Sequence, residues 1–216
     1  MKSNRKITFD ITKSLFSILE YDRPEISLSG IHVLLLTECF YRQLPFAYRI
    51  KINHKQLRYG ALLHDIGKIG IPKEILNKPG KLEKEEMELV KNHAKISAEI
   101  LGSIYGLEAL ASWIQYHHER FDGKGYYHLK GKEIPLEAQM IAITDTYSAI
   151  IMESSYKPAR THEDAISVLK LAAGTQFNHE LIRIFCQIPS VRLDAATEEA
   201  AKLMEKAGIF FSDGFA

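Results

Sequence analysis

Cysteine is scarce in this chain of 216 residues, which contains only Cys39 and Cys186. Two cysteines cannot form a disulfide framework or a cysteine-rich zinc site, so any bound metal would need nitrogen and oxygen ligands. A low cysteine content is typical of proteins in a reducing compartment. We therefore expect the protein to be cytoplasmic.

An excess of charge of either sign is also lacking, because 28 Lys and Arg residues balance 27 Asp and Glu residues to a formal net charge of +1. Proteins that bind DNA or an anionic membrane surface usually depend on a positive excess. Long apolar runs are absent as well, since stretches such as Val33–Leu36 are far too short to cross a bilayer. The composition therefore predicts neither a DNA partner nor a membrane span.

The apolar residues predict an all-α fold, because they recur at spacings of three and four and alternating patterns are scarce. We expect helices over residues 8–21, 26–44, 53–65, 83–105, 107–119, 135–153, 161–173, 178–188 and 197–207. Residues 26–190 are expected to form the functional domain. Residues 1–25 and 191–216 are expected to be an N-terminal and a C-terminal helical appendage.

Several polar residues interrupt otherwise apolar helix faces. His64 follows Leu57 and Ala61 by seven and three residues, and therefore shares their inward face. His93 and Asp145 lie in similar surroundings on other helices. A single histidine of this kind is more often a hydrogen-bonded core residue than a ligand. A whole set of such groups would be costly to bury unless a cation gathers them.

The complete set contains five histidines and two aspartates. It offers more donors than one ion binds, which favours two divalent ions. Imidazole and carboxylate donors favour transition metals over Ca²⁺ and Mg²⁺, so we expect Fe or Mn, with Zn and Ni as alternatives. The candidate ligands are His32, His64, Asp65, His93, His117, His118 and Asp145.

Three separated motifs identify a known family. The first runs from His64 to Pro72 as His-Asp-Ile-Gly-Lys-Ile-Gly-Ile-Pro, and the second runs from Leu76 to Lys81 as Leu-Asn-Lys-Pro-Gly-Lys. The third follows His93 and runs from His117 to Tyr126 as His-His-Glu-Arg-Phe-Asp-Gly-Lys-Gly-Tyr. Over residues 28–188 the chain resembles the HD-GYP family, which comprises bacterial phosphodiesterases of the HD superfamily that act on cyclic di-GMP.

The resemblance implies an HD-superfamily helical bundle around a dinuclear metal centre held by the seven residues above. His32 is included because it precedes His64 by 32 residues, as in the family. The implied reaction is hydrolysis of cyclic di-GMP to the linear dinucleotide or GMP by a metal-bridging hydroxide. Asp65 and Lys68 are the expected catalytic residues, with Asp65 bridging the ions and Lys68 beside the substrate phosphate.

Four residues are expected to contact or accommodate the substrate. The resemblance implies that Tyr126 and Lys157 touch the ligand. Glycine allows the backbone to turn and a ligand to approach closely, which is the expected role of Gly123 and Gly125.

The chain also departs from the family pattern. Leu28 occupies the position of a Glu that three-metal members use as a ligand, which favours two metals here. Tyr127 replaces the proline of the Gly-Tyr-Pro signature, and Ser148 replaces a second Asp after Asp145. Residues 154–157 read Ser-Ser-Tyr-Lys where the family has Arg-Pro-Tyr-Arg, so a bidentate arginine contact is missing.

These departures leave two alternatives open. One is a catalytically weak or inactive signalling module that binds a nucleotide or a protein. The other is an HD-superfamily phosphohydrolase with a different nucleotide substrate. A regulatory protein partner, such as a diguanylate cyclase-type domain, and a homodimer are left open as partners.

Overall fold

The computed structural model describes residues 2–152 and 160–205, with side chains for residues 6–152 and 160–204. The described ranges contain eleven α-helices and no β-strand, which confirms the all-α prediction. Short 3₁₀ turns lie at Ile66–Gly70 and Gly131–Glu133. The helices are α1 (Lys2–Asp22), α2 (Pro24–Gln43), α3 (Phe46–Arg49), α4 (His54–Leu63), α5 (Lys73–Leu76), α6 (Lys84–Gly102), α7 (Leu110–Gln115), α8 (Leu136–Ile151), α9 (His162–Leu171), α10 (His179–Phe185) and α11 (Ser190–Glu205).

Local sequence signals explain several helix starts. Asn53 caps α4 by accepting a hydrogen bond from the backbone N–H of Gln56. Thr161 and Asp164 form a reciprocal capping box at the start of α9. Several boundaries differ from the prediction: α1 begins at Lys2 instead of residue 8, α7 is shorter at both ends than the expected helix over residues 107–119, and α11 begins at Ser190 instead of residue 197.

Helix α2 forms the centre of the bundle. It packs against α1, α4, α8 and α11, and its Ile31, Val33, Leu36 and Phe40 side chains are fully buried. Phe40 of α2 meets the Phe185 ring edge-on at a centroid distance of 5.2 Å, and Tyr147 of α8 lies 5.5 Å from the same ring. This core fixes α4, which is followed by His64, and α8, which carries Asp145.

The terminal helices share this core. Phe16 and Leu19 of α1 are fully buried, as are Leu193 and Ala200 of α11. The division into a domain with two appendages stays a prediction, but the described parts of both appendages bury residues in the same cluster as the central helices.

None of the helices in the described part of the chain combines the length and the apolar character that crossing a bilayer requires.

Candidate metal centre

Four segments bring six of the candidate ligands together. His64 is the residue after α4, and Asp65 precedes the 3₁₀ turn Ile66–Gly70. His93 lies on α6 and Asp145 on α8, while His117 and His118 follow α7. In one group, composed of Asp65, His93, His117 and His118, the ligand atoms lie within 4.8 Å of one another, and the same holds for a second group of His64, Asp65 and Asp145.

Asp65 belongs to both groups, and its two oxygens face different histidines. Oδ1 lies 3.1 Å from Nε2 of His93 and 4.0 Å from Nε2 of His117. Oδ2 lies 3.4 Å from Nε2 of His64, which is also 3.4 Å from Oδ1 of Asp145. A carboxylate in this position is able to bridge two ions.

Backbone carbonyls orient three of the histidine rings. Nδ1 of His64 lies 2.9 Å from the Ala61 carbonyl oxygen three residues earlier. The same arrangement recurs at His93, 2.6 Å from the oxygen of Val90, and at His117, 2.5 Å from the oxygen of Ile114. Because Nδ1 donates its hydrogen to the carbonyl, the Nε2 lone pair of each ring points into the cluster, as metal-binding histidines require.

Several polar atoms in the cluster have no hydrogen-bond partner among the described residues. They are Nε2 of His64, Nε2 of His117 and Oδ1 of Asp65, all of which are buried. His93 Nε2 approaches Asp65 Oδ1 at 3.1 Å, but a ring that donates from Nδ1 presents only a lone pair there. Facing lone pairs in a buried site are costly unless a cation lies between them. The residues present therefore fit bound divalent ions.

The electrostatics of the cluster also suit metal ligands. Burial and the neighbouring histidines lower the pKa of His117 well below its usual range and that of His118 to about 4, so both rings are neutral at pH 7. Burial opposes ionisation of Asp65, but Lys68 and His64 outweigh it and hold the pKa of this carboxyl well below its ordinary value. Burial also opposes charge on His64, yet Asp65 and Asp145 raise its pKa to about 10. Metal ions would replace that proton as the source of positive charge.

A close helix contact positions Asp65 against His93. The backbone N–H of Gly67 donates to Oγ of Ser97 on α6 at 2.7 Å. A Cβ atom at Gly67 would overlap the carbonyl oxygen of His93, so only glycine lets the 3₁₀ turn lie so near to α6. Ser97 was not among the predicted site residues, because only the tertiary structure shows what its hydroxyl meets.

Lys68 lies beside the cluster as expected from the motif. Its Nζ is 2.5 Å from Oδ2 of Asp65, and its side chain is 28% exposed. This ammonium group is therefore accessible to a ligand that approaches the cluster.

The structure places His32 apart from the two groups, and its role as a ligand stays a prediction. This residue is fully buried but belongs to neither group, because its ring nitrogens already face hydroxyl groups. Nδ1 lies 2.9 Å from Oγ of Ser148 on α8, and Nε2 lies 2.9 Å from Oγ1 of Thr197 on α11. Burial lowers the pKa of His32 to about 4. His32 thus connects three helices through a neutral ring.

The loop over residues 119–131 is held by one buried carboxylate. Oε1 of Glu119 accepts the backbone N–H of Tyr127, and Oε2 accepts that of Leu129, both at 2.7 Å. A Cβ atom at Gly125 would lie 2.6 Å from Cα of Glu119, and Gly123 has a φ of +81°, so both glycines are needed for the loop shape.

This loop places Tyr126 at the edge of the cluster. Its ring centroid is 5.0 Å from that of His118, and Nζ of Lys91 lies 5.7 Å from the ring centre. Lys91 and Glu119 were not among the predicted site residues. The remaining expected substrate contact, Lys157, lies outside the described residues, as does the whole segment 154–157.

Comparison with known proteins assigns a family. Residues 36–181, more than half of the chain, match the HD domain family. The chain is 38% identical over 136 residues to a cyclic di-GMP phosphodiesterase of Vibrio cholerae, covering 59% of this chain and 28% of that protein. It is 33% identical over 171 residues to a 3'3'-cGAMP-specific phosphodiesterase of the same species, covering 79% and 36%.

A solved structure shares the fold. An HDG"Y"P protein from Bdellovibrio bacteriovorus aligns with a TM-score of 0.60 and 22% identity, covering 74% of this chain and 51% of that one. The chain spans about a third of the length of the two Vibrio relatives.

Proposed function

Because the chain belongs to the HD domain family, we propose that it is a metal-dependent phosphodiesterase that hydrolyses cyclic di-GMP to the linear dinucleotide or GMP. The observation that carries this proposal is Asp65, whose two oxygens face two different groups of ligand atoms, one with three histidines and one with His64 and Asp145. The names of the relatives support a cyclic dinucleotide as the substrate class.

The ligand set in this proposal comprises two overlapping groups. His93, His117 and His118 would hold one ion and His64 and Asp145 the other, with Asp65 shared between them. Nitrogen and carboxylate donors suit Fe or Mn, with Zn and Ni as alternatives. Leu28 supports two ions instead of three, because its partly buried side chain packs against the apolar core and has no ligand atom. Divalent ions at such a centre lower the pKa of water and neutralise charge on phosphoryl oxygens.

The chain's own residues contribute binding and orientation. Lys68 is near enough to Asp65 to reach a phosphate at the cluster, where its ammonium group would stabilise the negative charge that develops as water attacks phosphorus. The bond from phosphorus to the 3' oxygen breaks, and that oxygen leaves with a proton. Tyr126 offers an aromatic face and a hydroxyl at the rim of the site.

The proposed reaction takes place in the cytoplasm. Cys39 and Cys186 are both free thiols, which is consistent with a reducing compartment. A regulatory protein partner and a homodimer stay predictions.

The test compares the wild-type protein with the Asp65→Asn variant after anaerobic loading with Fe or Mn. We expect about two ions per wild-type chain by elemental analysis and conversion of cyclic di-GMP to the linear dinucleotide or GMP by chromatography. The variant should lose metal and all measurable turnover, because the shared ligand is weakened in both groups.

Two results would contradict the proposal. Fewer than about one ion per chain after loading would remove its premise. Two ions with turnover no greater than that of the variant, together with cyclic di-GMP binding, would instead indicate the inactive signalling module. The replacement of proline by Tyr127 is the feature that favours this second candidate.

A further inference from the structure

A cleft with a volume of about 470 Å³ lies beside the metal cluster. Its size falls within the range of about 300–1,000 Å³ that is usual for small-molecule sites. The cleft is built by the segment between the 3₁₀ turn and α6 and by the first turns of α6. Its lining includes Lys68, Ile75, Lys81, Met87 and Val90.

Two residues that line the cleft also contact ligands of the candidate metal centre. Lys68 belongs to its wall and at the same time contacts Asp65. Val90 also lines the cleft, and its carbonyl oxygen orients the ring of His93. A ligand with a phosphate at the cluster would therefore extend its next group into this cleft.

The walls of the cleft suit a flat aromatic group. Ile75 and Leu76 from α5 line the cleft together with Met87 and Val90 from α6, and Leu82 belongs to the segment between the two helices. Aliphatic side chains and a polarizable thioether pack well against an aromatic ring. A nucleobase is the part of a cyclic dinucleotide that has this shape.

Two lysines at the cleft differ in their electrostatic surroundings. Nζ of Lys78 lies 2.9 and 2.7 Å from the two carboxylate oxygens of Glu86, so its charge is already balanced. Lys81 is exposed, and within the described part of the chain it makes no hydrogen bond or ion pair. Its ammonium group is available to a ligand.

The chemistry of this ammonium group distinguishes the two purines. Lysine has three N–H donors and no acceptor. Guanine presents two adjacent acceptors, O6 and N7, whereas adenine replaces O6 with an amino group that is itself a donor. A lysine at the rim of a base pocket therefore favours guanine.

We propose that this cleft binds a guanine base of the cyclic dinucleotide and that Lys81 selects guanine over adenine. The inference rests on the proposed function and adds to it the position of one base and the residue that reads it. It also gives the second motif, Leu76 to Lys81, a role in recognition.

The test is a Lys81→Met variant, which keeps the length of the side chain and removes its donors. We expect kcat/KM of the metal-loaded enzyme for cyclic di-GMP to fall tenfold or more, in line with the loss of one hydrogen bond to a charged group. The value for cyclic di-AMP should change less than twofold. Lys84→Met, an exposed lysine outside the cleft lining, is the matched control and should leave both values unchanged. Lys81→Arg retains the donors and should restore most of the preference.

Direct binding separates this inference from the proposed function. The wild-type protein and Lys81→Met are compared for binding of cyclic di-GMP and cyclic di-AMP by calorimetry, whether or not turnover occurs. If the protein shows no turnover and Lys81→Met loses the selective binding of the guanine dinucleotide, the role of the cleft is supported and the proposed activity is contradicted. Turnover with equal losses for both dinucleotides would overturn the role of Lys81 and leave the activity standing. A protein that neither binds nor hydrolyses either compound would overturn both.

Discussion

Substitution of His32 tests whether this residue is a metal ligand or a structural residue, because the two roles predict different measurements. Substitution by Leu removes two hydrogen bonds, one to Ser148 and one to Thr197. Each bond contributes about 0.5–1.5 kcal/mol, so the variant should lose about 1–3 kcal/mol of unfolding free energy at pH 7.5. The hydroxyl of Thr197 keeps its bond to the carbonyl oxygen of Leu193, which limits the additional cost of an unpaired group.

The pH dependence sharpens the expectation. Burial lowers the pKa of His32 from 6.5 to about 4, so between these values the unfolded chain binds more protons than the folded one. Stability of the wild-type protein therefore falls as the pH drops through this window, by about 3 kcal/mol in total for this group. The variant lacks this contribution, and its deficit at pH 7.5 should disappear or reverse near pH 4.5.

The assay is urea unfolding of the wild-type protein and the variant at pH 7.5, 6 and 4.5, after both have been treated with a chelator. The other titrating groups of the cluster are the same in both proteins, so their contributions cancel when the two unfolding free energies are subtracted. Metal content after reloading should equal that of the wild-type protein, whereas a His93→Gln control should lose metal. A variant that loses an ion per chain, and whose stability follows the wild-type pH profile, would refute the reasoning and identify His32 as a ligand.

Two further predictions concern the positions that shape the site. Gly67→Ala should lose about 1–3 kcal/mol of unfolding free energy and bind metal more weakly, because its Cβ would overlap the backbone of His93. The control is Gly70→Ala, whose Cβ meets only the flexible side chain of Ile96. Thermal unfolding and metal titration of both variants check this prediction, and equal effects of the two substitutions would contradict it. Glu119→Ala should raise KM for the cyclic dinucleotide and lower the unfolding free energy by about 1.5–3 kcal/mol, because two backbone N–H groups lose a charged acceptor. The control is Glu133→Ala, which removes an exposed carboxylate that accepts one backbone N–H. An unchanged KM in Glu119→Ala would contradict a positioning role.

The sequence predicted the helical bundle and most of the cluster, because the relevant signals are local. Spacings of three, four and seven place His64 and His93 on inward faces, and inward faces of neighbouring helices meet in the core. The two consecutive histidines were harder to place. Helix α7 ends at Gln115, four residues before the predicted boundary, so both histidines lie beyond the helix, where His117 bonds through its ring to the carbonyl oxygen of Ile114.

What the sequence did not reveal concerns contacts between distant parts of the chain. His32 does lie on an inward face, but periodicity does not say which helix it meets, and α11 supplies the hydroxyl of Thr197 from 165 residues away. Ser97 and Glu119 act on backbone N–H groups 30, 8 and 10 residues away. Neither residue type carries a signal for such a bond before the chain is folded.

Because Glu119 accepts hydrogen bonds from the loop, the effect of the residue at position 127 depends on the residue at position 119. Proline has no backbone N–H, so a chain with proline at 127 would offer Glu119 only the donor of Leu129. Residue 127 can therefore restrain the loop through a proline ring or through this hydrogen bond, but not through both. The effect of substituting either residue consequently depends on the other, and a proline that rigidifies the loop in one sequence background would release part of it in this one.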